Sequence, residues 1–294
     1  MSTKGKKVKI IYFISLIMSL FVMNLNARES GYSISAAFVG MNMDYREYGV
    51  TDANGYGIYN GPKNLEKILD SEKSNAATGL MIGADIDLGY KKVLESGNYA
   101  EVKLSGIFTN GETEYVGSYI GSPDGYGSEV NSTKNIVMDI DIDYKFSHVL
   151  NNTLTLSYGM GFGYRLWRRE LNAAQIEVYK WMSFRPHIGT IYRISKFSLG
   201  INIEYQYAIN PEMTILGNVN QSDLTVNLDG ANIVQISIPF EVALYDNVDL
   251  FVIYTYENQI IGKSDQLQLS NGSLWEPRSE ANNQYLKLGA TFKF

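Results

Sequence analysis

The sequence predicts an all-β chain, a closed antiparallel up-and-down transmembrane β-barrel of about ten strands, with eight or twelve as the neighbouring even counts. Three observations lead there. Apolar and polar residues alternate with a period of two in segment after segment, which gives each segment one apolar and one polar face. The connections between these segments alternate short and long. The last segment, Gln284–Phe294, keeps the alternation to its final residue, with Leu286, Leu288, Ala290, Phe292 and Phe294 on one face and Lys287, Gly289, Thr291 and Lys293 on the other. The average hydropathy is slightly polar, as expected when every second residue of a membrane strand faces a wet interior.

In chain order, Lys4, Lys6, Lys7 and Lys9 precede an apolar run from Ile10 to Met23 and then Asn24-Leu25-Asn26-Ala27. A basic start, a short apolar stretch and a small residue at the cut describe a secretory signal peptide over 1–27. The run is short for a spanning helix, which needs about 20 apolar residues. Cleavage after Ala27 removes four of the 25 basic residues and none of the 31 acidic ones, so the formal charge of −6 deepens to −10. That acidity argues against nucleic acid as a partner. The chain has no cysteine, which excludes a lipoprotein anchor and a disulfide framework.

Residues 28–294 form the barrel, with strands expected near 32–48, 79–93, 98–117, 131–147, 151–170, 177–194, 196–211, 232–246, 248–262 and 283–294. The first has an unclear parity around Gly40–Met43, so a bulge is expected there. In the fourth, Ile136, Met138, Ile140, Ile142, Tyr144 and Phe146 oppose Asp139, Asp141, Asp143 and Lys145. In the fifth, Leu156, Tyr158, Met160, Phe162 and Tyr164 oppose Gly159, Gly161, Gly163 and Arg165, and the glycine row makes room for large side chains from facing strands. Several apolar rows finish in tyrosine or phenylalanine, as an interfacial aromatic girdle requires. Tight turns at Leu94–Gly97, His148–Asn151, Ser195 and Asp246–Asn247 alternate with long Gly/Asn/Ser-rich loops. Within the first long loop, Pro62–Lys73 is expected to hold a short helix, with Pro62 near its first turn.

The inward parity carries Asp85, Asp87, Glu101, Asp139, Asp141, Asp143, Glu204, Glu241 and Glu257, together with Lys91, Lys103, Lys145, Arg165, Arg169, Arg185, Arg193, Lys287 and Lys293. Barrels of about eight strands fill with side chains, whereas aqueous porins use about 16–18. A ten-stranded lumen with nearly balanced charge is therefore expected to hold an ion-pair and hydrogen-bond network. The alternative is a narrow, porin-like polar conduit for water or small ions.

The closing segment and its final Phe294 resemble the C-terminal strand of bacterial outer-membrane barrels, whose last aromatic residue is read by the barrel-insertion machinery. Gly161-Phe162-Gly163-Tyr164-Arg165-Leu166-Trp167, Tyr179-Lys180-Trp181, Ile209-Asn210-Pro211-Glu212-Met213 and Trp275-Glu276-Pro277 are similar to segments of a group of small Gram-negative outer-membrane barrel proteins. That resemblance covers roughly the C-terminal half. It implies a barrel in the cell outer membrane, among outer-membrane lipid and lipopolysaccharide.

In strand number and length the chain also resembles the omptin outer-membrane proteases, which use an aspartate pair facing an Asp–His pair at the extracellular rim. This chain has His148, expected in a short turn, and His187, expected mid-strand and inward, so the resemblance reaches the architecture and not the active site. Gln268-Leu269-Ser270-Asn271 resembles the His-x-Ser-Asn motif of the lipid A deacylases, with glutamine where the base would stand; glutamine cannot take the serine proton. No catalytic residue, cofactor or metal site is assigned, and two distant histidines make no metal motif. The expected function is thus a non-catalytic envelope barrel, displayed at the surface and passing at most small solutes, the alternative being an omptin-like or deacylase-like hydrolase. The sequence names no extracellular partner. One contact surface is a candidate: Arg168 and Lys180, beside Trp167 and Trp181, as a lipopolysaccharide patch at headgroup height, the alternative being a solvated loop base where Lys and Arg snorkel.

Overall fold

Alternation of β-branched or aromatic with polar residues fits a pleated surface that is apolar on one side, and in the computed structural model these segments pair edge to edge until the barrel wall closes on itself. The structure describes residues 30–52, 57–118, 127–173, 175–217, 222–269 and 272–294. In chain order the strands are β1 (Gly31–Asn42), β2 (Asp44–Thr51), β3 (Gly57–Ile58), β4 (Lys67–Lys73), β5 (Met81–Val93), β6 (Tyr99–Gly117), β7 (Glu129–Val149), β8 (Leu154–Asn172), β9 (Gln175–Ile194), β10 (Phe197–Leu216), β11 (Leu224–Asn227), β12 (Ala231–Tyr245), β13 (Val248–Ile261), β14 (Leu267–Leu269), β15 (Gly272–Leu274) and β16 (Arg278–Lys293).

β1 and β2 together make the first wall strand and β4 and β5 the second; β6, β7, β8, β9, β10, β12, β13 and β16 complete a closed antiparallel barrel of ten. Closure runs along the whole seam. β1 pairs with β16 from Ser33–Lys293 to Asn42–Gln284, and β2 continues the seam from Ala281–Tyr45 to Arg278–Tyr48. At its lower end the backbones of Tyr32 and Phe294 exchange hydrogen bonds of 3.2 and 2.8 Å. Closure removes the exposed edges that an open sheet would offer for aggregation.

The outer surface carries an apolar belt. Ile140, Ile142, Leu156, Tyr158, Met160, Phe162, Ile201, Ile203, Val234, Ile236 and Ile238 all face outward and are exposed. Tyrosines edge it at the long-loop side, where Tyr205 donates to Asn232 and Tyr256 to Asn282, each at 2.6 Å. Aromatic rings with one wet end are suited to a membrane interface. No helix among the described residues is long and apolar enough to cross a membrane.

The walls rise above this belt further than the alternation predicts. β10 continues to Leu216 past a bulge between Ile209 and Glu212, where Asn210 adopts φ 49°, and β16 begins at Arg278. The expected helix over Pro62–Lys73 is replaced by a single 3-10 turn at Lys63–Leu65 followed by β4. Tyr45, Arg46 and Glu47 on β2 and Tyr115 on β6 offer ladder partners to Glu72, Ser71 and Asp70, and these tertiary hydrogen bonds outweigh a weak local helix preference. The irregularity near Gly40–Met43 is a break at Met43, whose N–H is accepted by Ser74 Oγ at 3.2 Å. His148 is not in a turn: β7 continues through Val149, and His148 pairs with Leu156 and is exposed. Residues 1–27 and Ser270 lie outside the described residues.

Candidate functional site: the lumen and its roof

Inside, the pleat of each strand delivers every second side chain to a common axis, and three layers stack along it. The layer nearest the short turns is charged. Arg165 donates through Nε to Asp139 at 2.9 Å and through Nη2 to Glu257 at 2.7 Å, and Arg185 reaches Asp139 at 2.6 Å and Asp141 at 3.6 Å. Lys145 pairs with Glu101 at 2.8 Å, Lys103 with Asp87 at 3.5 Å and Lys287 with Asp85. Glu257 also accepts from Gln235 and Asn283, Glu204 from Gln206 and Glu241 from Ser198. This layer surrounds a cavity of about 320 Å³ lined by Asp141, Asp143, Glu204 and Glu241 among others. His187 lies here, its Nδ1 3.3 Å from Asp143 Oδ1, so the Asp–His proximity absent from the sequence order exists in space, in the lower lumen rather than at the rim.

The glycine row of β8 permits this packing. A Cβ at Gly159 would strike His187, one at Gly161 would crowd Asp143 at 3.2 Å, and one at Gly163 would collide with the Arg185 guanidinium.

Above the charges the lumen is mainly apolar, with buried Thr109 and Asn135 hydrogen-bonded to members of the apolar cluster. Met41 and Met43 from the first wall, Met81 from β5, Trp167 from β8, Trp181 from β9, Ile233 from β12 and Ile261 from β13 are all buried in one cluster. On β8 the order is Arg165, Trp167, Arg169, and on β9 it is Arg185, Trp181, Tyr179, Glu177, so the plug separates the charged layer from what lies above. Trp167 stacks on Tyr179 at 4.9 Å and donates its Nε1–H to Asn135 Oδ1 at 2.8 Å. This corrects the expected lipopolysaccharide patch. Arg168 and Lys180 do face outward, but strand alternation turns the adjacent Trp167 and Trp181 into the lumen, where they pack in the plug.

The uppermost layer centres on Arg169, whose side chain is fully buried. Its guanidinium meets Glu47 at 2.8 Å, Glu72 at 2.7 Å and Glu177 at 2.8 Å, and sits 4.5 Å from the Tyr45 ring. Tyr179 donates its hydroxyl proton to Glu276, which arrives from the roof between β15 and β16, while the same oxygen lies 3.3 Å from Glu177. Asp70 on β4 accepts the Ser118 N–H at 3.0 Å. Over this layer the loops enclose a cup of about 450 Å³, lined by Tyr48, Tyr59, Trp275, Lys263, Arg278 and Leu274 among others. Both Asp70 and Glu276 stand above the belt. Burial, reinforced by Glu47, pushes the Asp70 carboxyl up to about 8. Burial, reinforced by Glu47 and Glu177, holds Glu276 well above the usual carboxylate range.

The alternation places Arg169 inward but does not reveal its partners. Glu72 falls in the segment whose spacing reads as a helix, and Glu276 in a loop with no periodicity. The plug is legible in part, because the parity that puts Arg168 outside puts Trp167 inside.

The fold and its apolar belt define a transmembrane β-barrel of the outer-membrane class. The outer membrane protease OmpT from Escherichia coli has a similar fold, at a TM-score of 0.55 with 13% identity, over 92% of this chain and 99% of that one. The translocator domain of the autotransporter NalP from Neisseria meningitidis matches at a TM-score of 0.44 with 11% identity, over 99% of this chain and 97% of that one. The outer membrane protein OprG from Pseudomonas aeruginosa matches at 0.37 with 8% identity, over 90% and 96%. No protein-family model and no curated protein matches the sequence.

Proposed function

We propose that this chain is a non-catalytic outer-membrane barrel, closed to bulk solute, that presents a loop-built cup outside the cell. The observation that carries this reading is the apolar plug between the charged lower lumen and the roof. Water and ions gain nothing from a layer of methionine, tryptophan and isoleucine, and a hydrophobic constriction opposes their passage. Short turns inside and long loops outside, the usual asymmetry of such barrels, put the cup at the extracellular face and Phe294 in the periplasm, where insertion machinery would meet it. Planar-bilayer recording of the refolded protein tests the reading. Near-silent membranes or brief small events are expected, and stable large pores would replace it with a transport function.

A hydrolase is the second reading, favoured by the carboxyls at the roof. Glu276 and Asp70 hold their protons to higher pH than ordinary carboxyls, and buried carboxyls with raised proton affinity beside a cleft are candidates for acid–base roles. Turnover of a peptide or ester library by the refolded barrel, abolished in Glu276→Gln, would establish it.

A further inference from the structure

We propose that Glu276 is a latch that fastens the roof of the barrel to the lumen while it carries a proton, and that loss of the proton releases the roof. The latch rests on roof geometry and is independent of whether the barrel is catalytic.

The roof is stitched together around Ser264. Its N–H donates to the Glu276 carbonyl at 2.9 Å, and its hydroxyl accepts the Glu276 N–H at 2.7 Å. Tyr59 of the first long loop donates to the Ser264 carbonyl at 3.2 Å, and Leu228, in the connection from β11 to β12, forms a bridge with Ser264. The Asp229 N–H donates to the Lys263 carbonyl at 2.9 Å, and the Asp265 N–H to that of Asn227 at 3.1 Å. Three connections are thus hydrogen-bonded into one unit. From this unit the Glu276 side chain descends, buried, to the hydroxyl of Tyr179.

Its landing place cannot hold another negative charge. Arg169 supplies one positive charge and already has three carboxylates around it, Glu47 from β2, Glu72 from β4 and Glu177 from β9. Other ionisable groups packed about this layer are Tyr45 on β2, Asp70 on β4, Tyr115 on β6 and Tyr179 on β9, with Lys63, Glu66, Asp229, Lys263 and Arg278 around the cup above it. A neutral carboxyl accepts from Tyr179 without adding charge. An ionised one is a fourth anion in a low-dielectric pocket, where like charges repel strongly.

The sign follows from linkage. The seated roof keeps the Glu276 proton at a pH where a released, hydrated Glu276 has lost it, so the seated state binds more protons. Between the ordinary carboxylate range and the raised value in the seated state, each pH unit lowers the seated-to-released ratio by roughly tenfold.

The chain has no cysteine, so site-directed spin labels can be placed without background. Gln268→Cys in the roof and Lys134→Cys on the outer face of β7 give a pair whose distance reports seating. In the refolded barrel, this distance is expected to lengthen or broaden as pH rises from about 5 to about 9, while the heat-dependent gel shift of the intact barrel persists. In the Glu276→Gln background, which accepts from Tyr179 but never ionises, it is expected to stay at the low-pH value throughout. An unchanged distance in the native background, or the same lengthening in Glu276→Gln, overturns the proposal.

Discussion

The guanidinium of Arg185 lies across Gly163 on the neighbouring strand, in space that a Cβ on residue 163 would occupy. Arg185 cannot move aside cheaply, because it is buried and held by Asp139 at 2.6 Å, which in turn holds Arg165. Gly163→Ala is therefore expected to cost about 1–3 kcal/mol, the usual range for overpacking a filled interior. Gly106, on the outward face of β6, is the control, because a methyl group there would meet nothing within 4 Å. Gly106→Ala should be neutral or slightly stabilising in the same urea-unfolding experiment from lipid vesicles. Equal effects at the two glycines would show that the Arg185 network can shift freely.

Most of the wall is legible in the sequence, because a strand that is lipid-exposed on one side and polar on the other writes its parity directly into residue alternation. Ile136–Phe146 and Leu154–Tyr164 show this, and both fall within observed strands. The roof is not legible. β4 reads as a helix because Leu65, Ile68 and Leu69 share helical spacing, while the ladder partners that make it a strand lie on β2 and β6. The Arg169 layer collects side chains from three wall strands and a loop more than a hundred residues distant in sequence, and no local pattern announces such convergence.

The lipid-facing parity has a quantitative consequence. Ile140 and Ile238 are exposed in the middle of the outer belt, whereas Ser237 faces inward and shares a hydrogen bond with Thr255 at 2.9 Å. Arginine at Ile140 or Ile238 is expected to destabilise the folded barrel in a bilayer by about 2–4 kcal/mol, the cost found for a cation near the midplane. In detergent micelles, where the belt is thinner and wetter, the cost should shrink. Ser237→Arg should show no such dependence on the bilayer, since it adds its charge to the lumen. A bilayer-dependent penalty at Ser237 that matches Ile238 would reverse the assigned facing.

Arg169 gives a sharper test of the upper layer. Removing one partner from a buried ion pair leaves uncompensated charge and typically costs about 3–5 kcal/mol. Arg169→Met keeps much of the length of the side chain and should destabilise the barrel by that order, because Glu47, Glu72 and Glu177 are left facing one another. Glu72→Gln and Glu177→Gln introduced into the Arg169→Met protein should recover part of the loss by relieving repulsion. If the glutamines bring no recovery, the cost arises from packing against Tyr45 and Trp167 and not from charge.

The outer surface just above the belt carries the final prediction. Arg168 and Lys180 project from neighbouring strands, each more than a third exposed, and each paired on the surface, Arg168 with Glu170 at 2.9 Å and Lys180 with Glu212 at 2.7 Å. Exposed pairs of this kind contribute about 0–1 kcal/mol, so a lipopolysaccharide phosphate, with more charge and a geometry that suits guanidinium, can displace the carboxylates. Added lipopolysaccharide is expected to raise the melting temperature of the native protein, and Arg168→Ala/Lys180→Ala should lose at least half of that rise. Glu170→Gln/Glu212→Gln frees both cations and should enlarge it. Trp167→Phe and Trp181→Phe should leave the response unchanged, because both rings belong to the plug and never reach the headgroups. An identical response in the native and double-alanine proteins would reduce Arg168 and Lys180 to solvated charges on a polar rim.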